Sequence, residues 1–162
     1  MQLILFRHGI AEDLVEGGSD ATRALTPEGM RKTQAAAEGL AALIDAPGAI
    51  LTSPKVRALQ TAAILGRVFK VEPREEPVLA DGTVDEVVAT LATRDEATLV
   101  VVGHEPTLSR VAARLSTGRA GSDFVTLKKA GAVRLTVTRG DGDSPRATLD
   151  ALLPPKVLRR LA

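Results

Sequence analysis

Residues Leu3–Gly9 read LILFRHG. Four consecutive apolar residues have the length and composition of a short strand buried on both faces, as in a parallel sheet. A turn that needed only solubility would carry Asn-Gly or Asp-Gly at that point. This strand instead runs into a cation and an imidazole, which places chemistry at its carboxyl end.

Downstream, strand and helix patterns alternate. Residues 11–25 are a polar loop, and LTPEGMRKTQAAAEGLAALI (25–44) predicts a helix. Thr26 serves as its N-cap and Pro27 as its first residue. Met30, Ala37, Leu40 and Ile44 form its apolar stripe, and Pro47-Gly48 stops it. AILTS (49–53) predicts a second strand. Pro54 opens a second helix whose stripe is Val56, Leu59 and Ala63. EPVLA (76–80) predicts a short or irregular third strand, followed by a helix over 84–92. ATLVVVG (97–103) is the strongest strand signal, and a further helix begins near Pro106. AVRLTV and ATLDAL then alternate as the arms of a hairpin around TRGDGDSPR (138–146), at one sheet edge.

Such alternation predicts an α/β fold: one domain over residues 1–162, a mostly parallel sheet with helices on both faces and a C-terminal edge hairpin. Ligands of such sheets bind beyond the carboxyl ends of the strands. The first strand ends on Arg7-His8-Gly9. The second ends on Ser53, with Arg57 in the first turn of the next helix. The strongest ends on Gly103-His104-Glu105. The chain has only two histidines, and both occupy strand ends.

Composition narrows the chemistry. The 162 residues are 44% hydrophobic, with three Phe and neither Trp nor Tyr, so the core is aliphatic. A net charge of +1, from 21 basic and 20 acidic residues, argues against a nucleic-acid partner, as does the lack of stacking aromatics. Without Cys there is no thiolate nucleophile or Cys-based metal cluster. No apolar run approaches the roughly 20 residues of a membrane span, and MQLILFRH lacks a basic leader, so the expectation is a cytoplasmic protein with no membrane partner.

Two imidazoles and two guanidiniums suit a phosphoryl group. Arginine forks bind phosphate oxygens in pairs. Neighbouring cations keep an imidazole neutral, and a neutral His can attack phosphorus and carry it covalently. A zinc site is the competing use of histidine, but the remaining carboxylates lack ligand spacing, so neither metal nor cofactor is expected. Other features have plain readings. Arg139-Gly140-Asp141 is a hairpin turn, and Asp141 with Asp143 lacks the Glu of a calcium loop, since Leu152 stands there. Lys128-Lys129 reads as a solvated face.

LFRHG together with TRALTPEG (22–29), TSPKVRALQTA (52–62) and VVVGHEPTLS (100–109) resembles the histidine phosphatase superfamily, nearest its short phosphohistidine phosphatases of the SixA type. The resemblance spans essentially the whole chain and implies a phosphoglycerate mutase-like three-layer sandwich. It implies His8 as the phosphorylated nucleophile, Arg7 and Arg57 as the clamp on the phosphoryl oxygens, and His104 as a further donor to them. Arg23 matches a position near the pocket mouth. Phosphate or sulfate is an expected occupant.

Phosphomonoesterases of this superfamily add a carboxylate proton donor. Asp81 is the candidate here, with Glu76 and Asp85 behind it, although Asp81-Gly82 also reads as a turn. Imidazole leaves phosphorus with less help than an alkoxide does. A phosphohistidine-bearing protein is therefore the leading substrate. A small phosphomonoester is the alternative, and a non-catalytic phosphate-binding module is the third reading.

Overall fold

The computed structural model describes residues 1–121, 124–138 and 144–162. Arg139, Gly140, Asp141 and Asp143, considered above, lie outside the described residues. Six strands form one sheet: β1 (Gln2–Arg7), β2 (Ala49–Thr52), β3 (Pro73–Glu75), β4 (Thr98–Gly103), β5 (Ala132–Thr138) and β6 (Arg146–Leu153), in the order β3-β2-β4-β1-β5-β6. The first four run parallel, while β5 and β6 add an antiparallel pair with β6 at the edge. The helices are α1 (Pro27–Ala41), α2 (Val56–Phe69), α3 (Val78–Asp81), α4 (Val84–Ala92), α5 (Thr107–Thr117) and α6 (Pro155–Leu158).

Side-chain alternation along the central strands divides the core into two layers. Leu3, Leu5, Leu99 and Val101 face Val87 and Leu91 of α4 and Leu108, Val111 and Leu115 of α5. Ile4, Phe6, Val100 and Val102 face Ala36, Ala37 and Leu40 of α1, Ala58, Ala62 and Leu65 of α2, and Leu158 of α6. The continuous apolar runs of β1 and β4 are thus explained by burial on both faces. This is the predicted α/β architecture, with helices on both sides of a mostly parallel sheet.

Local chemistry sets the helix starts. The Thr26 hydroxyl accepts from Gly29 N at 2.8 Å, with Pro27 at the first position. Thr83 and Glu86 close a capping box at α4.

Four expectations are corrected. Met30 is 42% exposed, and α1 buries Gly29, Thr33, Ala36, Ala37 and Leu40 instead. Small residues let this helix approach its neighbours closely: a Cβ on Gly39 would lie 1.8 Å from the Leu158 carbonyl oxygen. Helix α1 also stops at Ala41, before Pro47-Gly48, because Leu43 N bonds back to Leu40 O and tightens the last turn.

The stripe of α2 is rotated from the predicted one. Ala63 is exposed, whereas Arg57, Ala58, Thr61, Ala62 and Leu65 are buried. Polar Arg57 and Thr61 are tolerated there because both find hydrogen-bond partners, described below. Finally, the third strand is Pro73–Glu75 rather than 76–80, and Val78–Asp81 is a helical turn. As an edge strand bonded only to β2, β3 accommodates a proline and exposed charges that carry no strand signal.

The glycine of Arg-His-Gly is required by space. A Cβ on Gly9 would lie 2.2 Å from Thr33 Oγ1 of α1 and 3.2 Å from Leu25 Cδ2. Gly9→Ala is expected to lower stability by about 1–3 kcal/mol through overpacking. Urea denaturation checks this, and an unchanged midpoint would show that α1 yields without cost.

Candidate active site

Pairing register brings the strand ends together. In the parallel β1–β4 pair Arg7 stands opposite Gly103, and His8 N donates to Gly103 O at 3.1 Å. The residues just beyond each strand are consequently neighbours. The His8 and His104 rings lie 5.1 Å apart between centroids, inclined at 50°. Strand β2 pairs with the other side of β4, so Ser53 arrives beside His104, with Oγ 2.8 Å from its Nε2.

The tautomer of His8 follows from its contacts. Nδ1–H donates to the Gly9 carbonyl at 2.7 Å, which leaves the lone pair on Nε2. Arg57 Nε–H reaches that atom at 3.4 Å. Thr61 locks the arrangement from α2, accepting from Gly9 N at 3.0 Å and donating to the Arg57 carbonyl at 2.7 Å.

Both rings are buried and held neutral. Burial first, then the charges of Arg57, Arg7 and Lys129, lower the His8 pKa to about 4 against the opposing Gly9 carbonyl. His104 is lowered to about 3 by burial, then by His8, Arg57 and Lys55, with Asp20 opposing. Dehydration thus comes ahead of the neighbouring cations as the cause. His104 Nδ1 is buried and has no hydrogen-bond partner among the described residues.

The arginines are anchored differently. Arg7 donates from one terminal nitrogen to the Leu127 carbonyl at 2.7 Å, while its buried Nε has no partner among the described residues. Burial lowers its pKa, and the Glu105 carboxylate opposes that shift. Arg57 is held by a residue the sequence reading passed over, Asp20. It donates to the Asp20 carbonyl oxygen at 2.6 Å and to Oδ2 at 3.0 Å. Arg23 donates to Asp20 Oδ1 at 2.8 and 3.0 Å, and Lys55 to Oδ2 at 3.3 Å. Hydrogen bonds from Arg57, then from Arg23, hold the Asp20 carboxyl well below the usual carboxylate range. No local signal marks this residue, which lies in a short 3-10 turn (Asp20–Thr22) within the polar loop.

Arg23 therefore joins the cluster two side chains away from His8, through Asp20 and Arg57, and is also bonded to the Glu12 carbonyl. Asp81 is exposed at the end of α3, with no described hydrogen bond or ion pair to the cluster. Of its two alternatives, Asp85 pairs with Arg114 at 3.0 Å. Glu76 is half-buried, its N bonded to the Thr52 carbonyl at the end of β2. Among the described residues, no three His, Asp or Glu side chains gather where they could hold a metal ion. No helix among them is long and apolar enough to cross a membrane.

Residues 3–84 match the family model of the histidine phosphatase superfamily (branch 1). The chain belongs to that superfamily. An uncharacterized protein of Picosynechococcus sp. is 38% identical over 140 residues, covering 83% of this chain and 84% of its own length. Among solved structures, the protein histidine phosphatase SixA complexed with tungstate superposes with a TM-score of 0.83 at 26% identity, covering 98% of this chain and 99% of that one. A mycobacterial glucosyl-3-phosphoglycerate phosphatase shares the fold, with a TM-score of 0.74 at 19% identity over 94% of this chain and 98% of its own. The chain thus has the three-layer architecture of its superfamily.

The buried imidazoles make stability pH-dependent. Each binds a proton more readily when unfolded, near the ordinary value of about 6.5, than when folded. Their contribution is complete above about pH 6.5 and is lost as pH falls through about 4 for His8 and about 3 for His104. The denaturation midpoint should fall between pH 7 and pH 4, and fall less steeply in His8→Gln and His104→Gln. Parallel pH profiles for wild type and both variants would contradict this.

Proposed function

We propose that the chain is a phosphohistidine phosphatase acting through a phospho-His8 intermediate. The observation that carries this reading is the orientation of His8: Nδ1–H is committed to the Gly9 carbonyl, and Nε2 holds its lone pair beside Arg57 and the second imidazole. A buried neutral imidazole is a ready nucleophile at neutral pH.

In the first step Nε2 of His8 attacks phosphorus, and the bond from phosphorus to the substrate nitrogen breaks. The departing imidazole accepts a proton from solvent. In the second, water attacks the phosphorus of phospho-His8, the bond to Nε2 breaks, and phosphate leaves with His8 neutral again. Arg7, Arg57 and His104 stabilise the charge on the transferring oxygens, His104 through Nδ1, which has no partner among the described residues. Asp20 holds the Arg57 fork in place, and Arg23 acts through Asp20. The likeness to SixA supports this reading, since that protein is complexed with tungstate, a tetrahedral oxyanion like phosphate.

Phosphohistidine is favoured as substrate because, among the described residues, no carboxylate is hydrogen-bonded to either imidazole. An alkoxide leaving group would need such an acid, whereas an imidazole needs far less help. The competing substrate is a small phosphomonoester with Asp81 as the acid. The proposed domain extends over residues 1–162, and the reaction needs neither cofactor nor metal.

Incubation with a phosphohistidine protein labelled on phosphorus should leave acid-labile, alkali-stable label on the wild-type enzyme and none on His8→Ala. A fully active His8→Ala variant would end the proposal. Arg57→Ala should lose roughly 10²-fold or more in kcat/KM, since its guanidinium acts on developing charge. Asp81→Asn should leave phosphohistidine hydrolysis within about twofold of wild type. A large loss there would make Asp81 the proton donor and favour the ester.

A further inference from the structure

Adjoining the reaction site through Arg7 lies a cavity of about 590 Å³ whose lining also includes Lys32, Lys128, Lys129, Lys156 and Arg159. The whole chain is nearly neutral, with 21 basic and 20 acidic residues, so six cations around one cavity are a marked local excess. Among the described residues, the only ion pair within this set joins Lys32 to Glu28 at 2.6 Å. Mutual repulsion among such charges disfavours the compact state, and an anionic partner would relieve it.

The five cations besides Arg7 come from three separate parts of the chain. Lys32 lies on α1, Lys156 and Arg159 on and just after α6, and Lys128 and Lys129 on the turn before β5. That turn is tied directly to the reaction site. Ala130, at φ 58°, donates its N–H to the carbonyls of both Arg7 and His8, at 3.1 and 3.2 Å. Arg7 borders both the cavity and the imidazole cluster, and the charge of Lys129 reaches His8.

The form of the charge indicates the occupant. Lys128, Lys129 and Lys156 are exposed ammonium groups on flexible stems, drawn from two separate segments of the cavity's lining. Such point charges suit several carboxylates distributed along a chain better than one compact oxyanion, which favours convergent buried donors. A single-stranded nucleic acid would call for stacking aromatics, and the chain has no Trp or Tyr.

We propose that this cavity docks an acidic segment of the phosphohistidine-bearing protein, its Asp and Glu side chains seated on the lysines while the phosphohistidine enters beside Arg7. The choice of partner rests on the phosphohistidine reading, but binding at the cavity can be measured without turnover.

A fluorescein-labelled, unphosphorylated peptide with Asp and Glu flanking one His is titrated with the protein by fluorescence anisotropy at low salt. The same peptide with Asn and Gln is the control. The acidic peptide should bind at least about tenfold tighter, and Lys128→Glu/Lys156→Glu should erase the difference, with folding checked by thermal melting. Phosphorylated on His, the acidic peptide should show the lower KM, with that preference also lost in the double variant. Equal affinity for the acidic and amide peptides, or a preference surviving in the folded double variant, would overturn the proposal. Tighter binding of a single-stranded oligonucleotide than of the acidic peptide would overturn it too. If the unphosphorylated acidic peptide binds as expected but its phosphorylated form is not hydrolysed, the docking site stands and the phosphohistidine reaction falls.

Discussion

The site depends on the in-step parallel pairing of β1 with β4. With Arg7 opposite Gly103, the residues that follow are forced into adjacency, and His8 and His104 share one small volume at the sheet's carboxyl edge. Parallel strands are buried on both faces, so this register is held by apolar packing over the whole length of both strands. A slip of one residue would turn the inward-facing Phe6 and Val102 to the opposite layer and separate the rings. Much of the sheet's hydrophobic stabilisation therefore also fixes the geometry of two polar residues at its end.

Burial then sets the chemistry of those residues. An imidazole removed from water resists protonation, and the Gly9 carbonyl decides which nitrogen keeps its hydrogen. Arg57 would be costly to bury alone. It is compensated by Asp20, whose carbonyl and carboxylate oxygens both accept from it and whose carboxylate is shared with Arg23 and Lys55. The loop that carries Asp20 has little regular structure, but its position is fixed by these bonds.

What could be read in advance varied with how distinctive each residue is. Two histidines in 162 residues, both at strand ends, draw attention by rarity. Asp20 is one of 20 acidic residues, and its role exists only because Arg57 arrives from 37 positions away. The same holds for the lysines of the basic cavity: Lys128-Lys129 reads as an ordinary solvated face until α1 and α6 bring other cations beside it. Strand β3 carried no signal because its residues are held by an edge pairing with β2 rather than by their own apolar alternation. The face of α2 was misread for a related reason. Its buried side includes Arg57 and Thr61, which periodicity alone assigns to solvent.

The amino-acid sequence alone determined the alternation of strands and helices, the cap of α1, and the placement of Arg7, His8 and His104 at or just past strand ends. These are local matters of hydrophobic period, turn chemistry and capping, each decided within a few residues. Only the tertiary structure decided the strand order β3-β2-β4-β1-β5-β6, the bond network from Asp20 to Arg57, and the gathering of lysines beside the site. Those depend on which distant segments become neighbours, and that is settled by packing all the layers together.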